Sequence, residues 1–76
     1  MNYRERIISN PDIMLGKPTV KGTRITVELL LSKLAEGLTP DEVLKCYPHL
    51  KKEDILAAID YAARVIADEE MIEVSL

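Results

Sequence analysis

Apolar and polar positions change rhythm once along the chain, near Val27. Before it, short apolar runs are broken by turn formers: Ile7-Ile8-Ser9 is stopped by Asn10-Pro11-Asp12, and Ile13-Met14 by Gly16 and Pro18. Thr19-Val20, Lys21-Gly22 and Thr23-Arg24-Ile25-Thr26 predict a β-hairpin, with Gly22 at a position of positive φ and β-branched residues on both sides. A lone hairpin is marginal in water, so this one is expected to lie on helices, to pair with Ile7–Ser9, or to pair with another subunit.

From Val27 the period is that of a helix. Val27, Leu30, Leu31 and Leu34 fall at i, i+3, i+4 and i+7, with Thr26 placed to cap the start and Gly37 at the left-handed position after the end. Thr39-Pro40-Asp41-Glu42 then sets an N-cap threonine, proline at N1 and glutamate at N3, the pattern of a capping box, with Leu38 and Val43 as a hydrophobic staple. Tyr47-Pro48 ends this second, short helix, because a residue preceding proline is driven out of the helical region. A third helix is predicted from near Lys51 toward Glu69, with Ile55, Ile59, Ala62 and Ile66 as its inner stripe and Leu56, Ala58, Ala63 and Val65 widening it. Glu53 and Asp54 suit its positive end, whereas Asp68, Glu69 and Glu70 have the wrong sign for its last turn, so fraying is expected near Asp68. Met71 to Leu76 alternates apolar and polar residues, as a strand or a partner-docking tail would.

These elements make a mainly α fold of one domain over residues 1–76: a short N-terminal β-hairpin element (7–26), a three-helix core (27–69) and a terminal tail (70–76). A 76-residue chain has little surface to bury, so its core is marginal and a homodimer is expected. Cys46 is the single cysteine and His49 the single histidine, which excludes a disulfide and leaves too few ligands for structural zinc. Cys46 is expected to be half-buried and His49 to sit exposed in a turn. No apolar run is long enough to span a membrane and the first ten residues contain no leader-like apolar core, so the expected location is cytoplasmic. No nucleophile–base pair or metal-ligand spacing points to an enzyme or to a cofactor.

Charge separates along the chain. Residues 1–26 carry Arg4, Arg6, Lys17, Lys21 and Arg24 against Glu5 and Asp12, a net +3, while residues 27–50 carry −2 and residues 51–76 carry −4. A basic front and an acidic back suit recognition of a partner or antiparallel self-association. The second and third helices, Thr39–Cys46 and Lys51–Ala67, read as a helix-turn-helix pair. When such a pair reads DNA, the N-terminal residues of its second helix enter the major groove. Here Lys51, Lys52 and Leu56 occupy that edge, with Lys45, Lys21 and Arg24 as further phosphate contacts. Against DNA stand a pI of about 5.0 and the acids of the third helix, so a protein-interaction module without DNA affinity is the competing reading. For Arg24 the alternative to a contact with a partner is an ion pair with an acid such as Glu28.

The run Gly16-Lys17-Pro18-Thr19-Val20-Lys21-Gly22-Thr23-Arg24-Ile25-Thr26-Val27 resembles the signature of the family called domain of unknown function 433. Gly37 to Glu42, Tyr47-Pro48-His49-Leu50 and Glu53 to Ala62 resemble its later motifs in the same order, so the likeness covers roughly residues 7–63. The resemblance implies a homeodomain-like helical fold with a small β-element in front, and a prokaryotic source. It also implies an antitoxin-like role in some members, beside a toxin with a PIN-like nuclease domain. Lys51 departs from the pattern where the family often has a threonine or serine cap, which removes a cap and adds a positive charge at the presumed DNA edge. The resemblance supplies no catalytic residue.

Overall fold

The β-branched residues flanking Gly22 do form a turn, but its two arms are unequal. The computed structural model describes the backbone of residues 2–73 and the side chains of residues 2–68. β1 (Ile7–Ile8) and β2 (Thr19–Val20) form a two-stranded antiparallel sheet, with Ile7 opposite Val20 and Ile8 opposite Thr19. The return arm after Gly22 meets β2 only through a single bridge between Thr19 and Thr26. Thr23 explains why: its hydroxyl donates to the Val20 carbonyl (2.8 Å) and accepts from the Ile25 N–H (3.0 Å), which bends the arm. Thr26 is then already committed as the N-cap of the helix that follows, accepting from the Leu29 N–H at 3.0 Å.

Helix α1 (Val27–Ala35) turns Val27 and Leu30 into the core and packs Leu31 and Leu34 against it, as its periodicity predicts. It stops in a Schellman arrangement: Gly37 (φ +103°) donates its N–H to the Leu34 carbonyl, and Leu38 donates to that of Lys33. Helix α2 (Pro40–Cys46) opens with the complete capping box, the Glu42 N–H donating to the Thr39 hydroxyl at 3.2 Å and the Thr39 N–H to the Glu42 carboxylate at 2.8 Å. The Thr39 N–H first, and its hydroxyl second, hold the Glu42 carboxyl below the ordinary glutamate range, with a small opposing effect of burial.

Helix α3 (Lys52–Glu73) is the long element and buries Asp54, Ile55, Ala57 and Ala58 in its first two turns. Its predicted inner stripe is correct only at its start. Ile59 is 40% exposed and Ile66 53%, and Leu56, Ala63 and Val65 are exposed too. The reason is length: at 1.5 Å per residue, α1 covers only about 13 Å of a helix running about 33 Å. The helix continues past the acids at Asp68 to Glu73, so the first half of the predicted strand or tail at Met71–Leu76 is helical. Val74 to Leu76 lie outside the described residues. Among the described residues no helix is long and apolar enough to cross a membrane.

The core gathers Ile7, Val20, Val27, Leu30, Val43, Leu50, Ile55, Ala57 and Ala58, so sheet, α1, α2 and the start of α3 share one interior. An N-terminal 3-10 turn, Tyr3–Glu5, packs on α3 through an edge-on contact of Tyr3 with Tyr61 at 5.2 Å. A second 3-10 turn, Met14–Gly16, holds Met14 and Leu15 at positive φ, with Leu15 almost wholly exposed.

Candidate nucleic-acid interface

One ion pair ties the front of the chain to the start of α3, with a backbone hydrogen bond on either side of it. The Lys21 N–H donates to the Arg6 carbonyl at 2.7 Å. The Arg6 guanidinium in turn donates to Asp54 Oδ1 at 2.9 Å. The other carboxylate oxygen of Asp54 accepts the Lys51 N–H at 2.8 Å. Lys21 in the turn after β2 and Lys51 before α3 therefore belong to one end of the molecule, held by a carboxylate that is itself buried.

Asp54 stands at the third position of α3 and reaches back to the backbone of the residue before the helix, which is half of a capping box. Lys51 has no side-chain oxygen to return the favour, so that end of α3 is capped from one side only. The ion pair is a partly buried one. Asp54 receives charge-assisted hydrogen bonds from both Arg6 and Lys51, which is what makes burying its charge tolerable.

Of the residues predicted to touch DNA, Lys51 lies exposed just before α3, Lys52 and Leu56 along its first turns, and Lys21 and Arg24 in the turn after β2. Lys45 is exposed in the last turn of α2, where no hydrogen bond joins it to the others among the described residues. Arg24 does not pair with Glu28, which is engaged instead by Lys17 at 3.1 Å. Among the described residues Lys21, Arg24, Lys45, Lys51 and Lys52 make no ion pair, so their charge faces solvent. Cys46, the last residue of α2, is exposed rather than half-buried; His49 is exposed in the turn, as expected.

Sequence reasoning counted Arg6 only as one charge among several and missed its partner. The signal was present in part, since an aspartate at the third helical position is a known capping arrangement, but its ion-pair partner lies 48 residues away.

The comparisons with known proteins agree on one relationship. An uncharacterised protein of Sinorhizobium fredii, y4eO, is 39% identical over 59 residues, which make up 78% of this chain and 27% of that protein. This chain therefore matches only about a quarter of that relative's length. A crystal structure of a DUF433 member from Anabaena variabilis superposes with a TM-score of 0.76 at 30% identity, covering 92% of this chain and 66% of that one. The model of the family described as protein of unknown function (DUF433) matches residues 7–62, which run from β1 through the Asp54 network to the middle of α3, and the chain belongs to that family.

Proposed function

We propose that this chain is a small DNA-binding regulator of the antitoxin kind, holding duplex DNA at the end where the turn after β2 meets the start of α3. The observation that carries the reading is the Lys21–Arg6–Asp54–Lys51 chain of hydrogen bonds. Through the backbone N–H groups of Lys21 and Lys51 it links the backbones of two basic segments distant in sequence, in a protein whose net charge is −3. A local basic edge on an acidic molecule suits phosphate contact at one place and repels DNA elsewhere. Within this reading Lys51 and Lys52 approach the duplex with the first turn of α3, Leu56 meets a base edge, and Lys21, Arg24 and Lys45 contact phosphates. Two copies binding as a homodimer would present two such edges to a two-fold operator. A PIN-type toxin is the protein partner that an antitoxin role requires, and it would bind away from the basic edge.

The test is fluorescence anisotropy of duplex DNA from upstream of the coding sequence, compared with a scrambled duplex, using the wild type and the double variant Lys51→Glu with Lys52→Glu. The expected result is tighter binding to the native duplex, lost in the double variant, with helical circular dichroism unchanged. Equal affinity of wild type and variant would remove this edge from the account.

A further inference from the structure

Arg6, Lys17 and Arg64 are the cations that form ion pairs among the described residues, and the pairs differ in kind. Lys17 meets Glu28, and Arg64 meets Asp60, with the cation mostly exposed. Arg6 is paired with a carboxylate only 10% exposed, yet its own side chain stays 33% exposed. A guanidinium carries five N–H donors in a planar fork, and Asp54 engages only Nη1. Nε and Nη2 have no hydrogen-bond partner among the described residues and are not buried, so their N–H groups reach solvent.

The place of Arg6 gives those free donors a use. Its carbonyl accepts the Lys21 N–H, and the second oxygen of Asp54 accepts the Lys51 N–H. Arg6 is thus one hydrogen bond from the backbone of one basic segment and two from that of the other. Anchoring at Nη1 also restricts the rotamer freedom that a free arginine gives up on meeting a ligand. A half-used fork open to solvent suits an oxyanion, and a duplex supplies phosphate oxygens.

We propose that Arg6 is a phosphate-binding residue of the DNA edge, attenuated by Asp54, which holds the guanidinium and cancels its charge while leaving two of its nitrogens to a phosphate. The proposal rests on the regulator reading above. It adds a contact made by hydrogen bonds without net charge, so in the wild type Arg6 contributes affinity but little salt dependence. Replacing Asp54 by its amide unmasks the charge at the same place.

The experiment measures salt-dependent anisotropy of the upstream duplex with the full chain, Asp54→Asn, and Asp54→Asn combined with Arg6→Gln. The double variant removes both charges, so no buried carboxylate is left unpaired. Asp54→Asn is expected to bind more tightly and to steepen the slope of log affinity against log salt by about 0.9, the value for one added phosphate. Arg6→Gln in that background should reverse both changes. Glu28→Gln is the control, because it makes the same change of charge at an exposed pair by releasing Lys17. An equal steepening by Glu28→Gln would reduce the effect to net charge and overturn the proposal, as would a slope that Asp54→Asn leaves unchanged. Arg6→Lys, made in the otherwise wild-type chain, tests the fork without removing the carboxylate. It should bind about tenfold more weakly, the order expected for one lost charge-assisted hydrogen bond, at an unchanged slope. Undiminished affinity of folded Arg6→Lys would also overturn the assignment. Absence of duplex binding by the wild type and every variant would instead sink the regulator reading, and this contact with it.

Discussion

Asp54 and Glu42 show how far one carboxylate carries this fold. Asp54 is buried with two donors, one from a side chain near the N-terminus and one from the backbone ahead of α3. Asp54→Ala strands the Arg6 guanidinium and uncaps α3 together, and is expected to cost about 2–3 kcal/mol, roughly 10 °C or more in Tm. Asp54→Asn should cost less, because its amide oxygen still accepts the Lys51 N–H, and it should tighten duplex binding by releasing Arg6 as a free cation. Thermal melts and anisotropy check both halves; an alanine variant within about 0.5 kcal/mol of wild type would show the network to be incidental. Glu42 is a different case, exposed but held below its ordinary range by Thr39. Since its folded value lies below its unfolded one, its stabilising contribution is complete above the unfolded value and fades as pH falls through the folded one. Wild type should therefore exceed Glu42→Gln in stability at neutral pH, and the gap should close in acid. A gap that stays constant down to pH about 3, below the unfolded glutamate range, would contradict the linkage. The Glu42 arrangement was legible in Thr39-Pro40-Asp41-Glu42 because a capping box closes within four residues. The Arg6–Asp54 pair was not, because nothing local in Asp54 names a partner 48 residues away.

Among the elements, α1 and α2 were readable almost to the residue, since caps, a glycine and a proline set their ends locally. The turn after β2 was readable in position but not in pairing. Its return arm is cut short by Thr23 and Thr26, whose hydroxyls take up backbone groups that a strand would have used. α3 was the least legible. A 3.6-residue stripe from Ile55 through Ile66 records which residues share a face, but whether that face is covered depends on the lengths of α1 and α2, which the stripe does not contain. Ala62 and Ile66 of the stripe, with Val65 beside them, line an open apolar groove against α1. Lys51, Lys52 and Leu56, the residues predicted for a DNA edge, are exposed, whereas Ile55, Ala57 and Ala58 turn into the core.

At the scale of the whole molecule, charge and apolar surface are sorted to different places. The Arg6–Asp54 pair links the basic segment around Lys21 to the start of α3, while α3 runs on into four acids that follow Ala67 in the sequence. Under the proposed reading, an acidic protein meets a polyanion only at its basic end. Composition could not reveal this: a pI of about 5.0 averages over a separation that only the fold makes spatial.

The most direct test of the central claim is the salt dependence of duplex binding, measured by anisotropy over about 50–200 mM salt, where phosphate contacts release counterions. If Lys21, Arg24, Lys45, Lys51 and Lys52 each neutralise a phosphate, log affinity should fall linearly with log salt at a slope of about −4.5. A Lys51→Ala, Lys52→Ala variant, which removes two phosphate contacts without reversing their charge, should flatten that slope by about 2. A flat response in the wild type, or a slope that the double variant leaves unchanged, would contradict the account of this end as a DNA-binding edge.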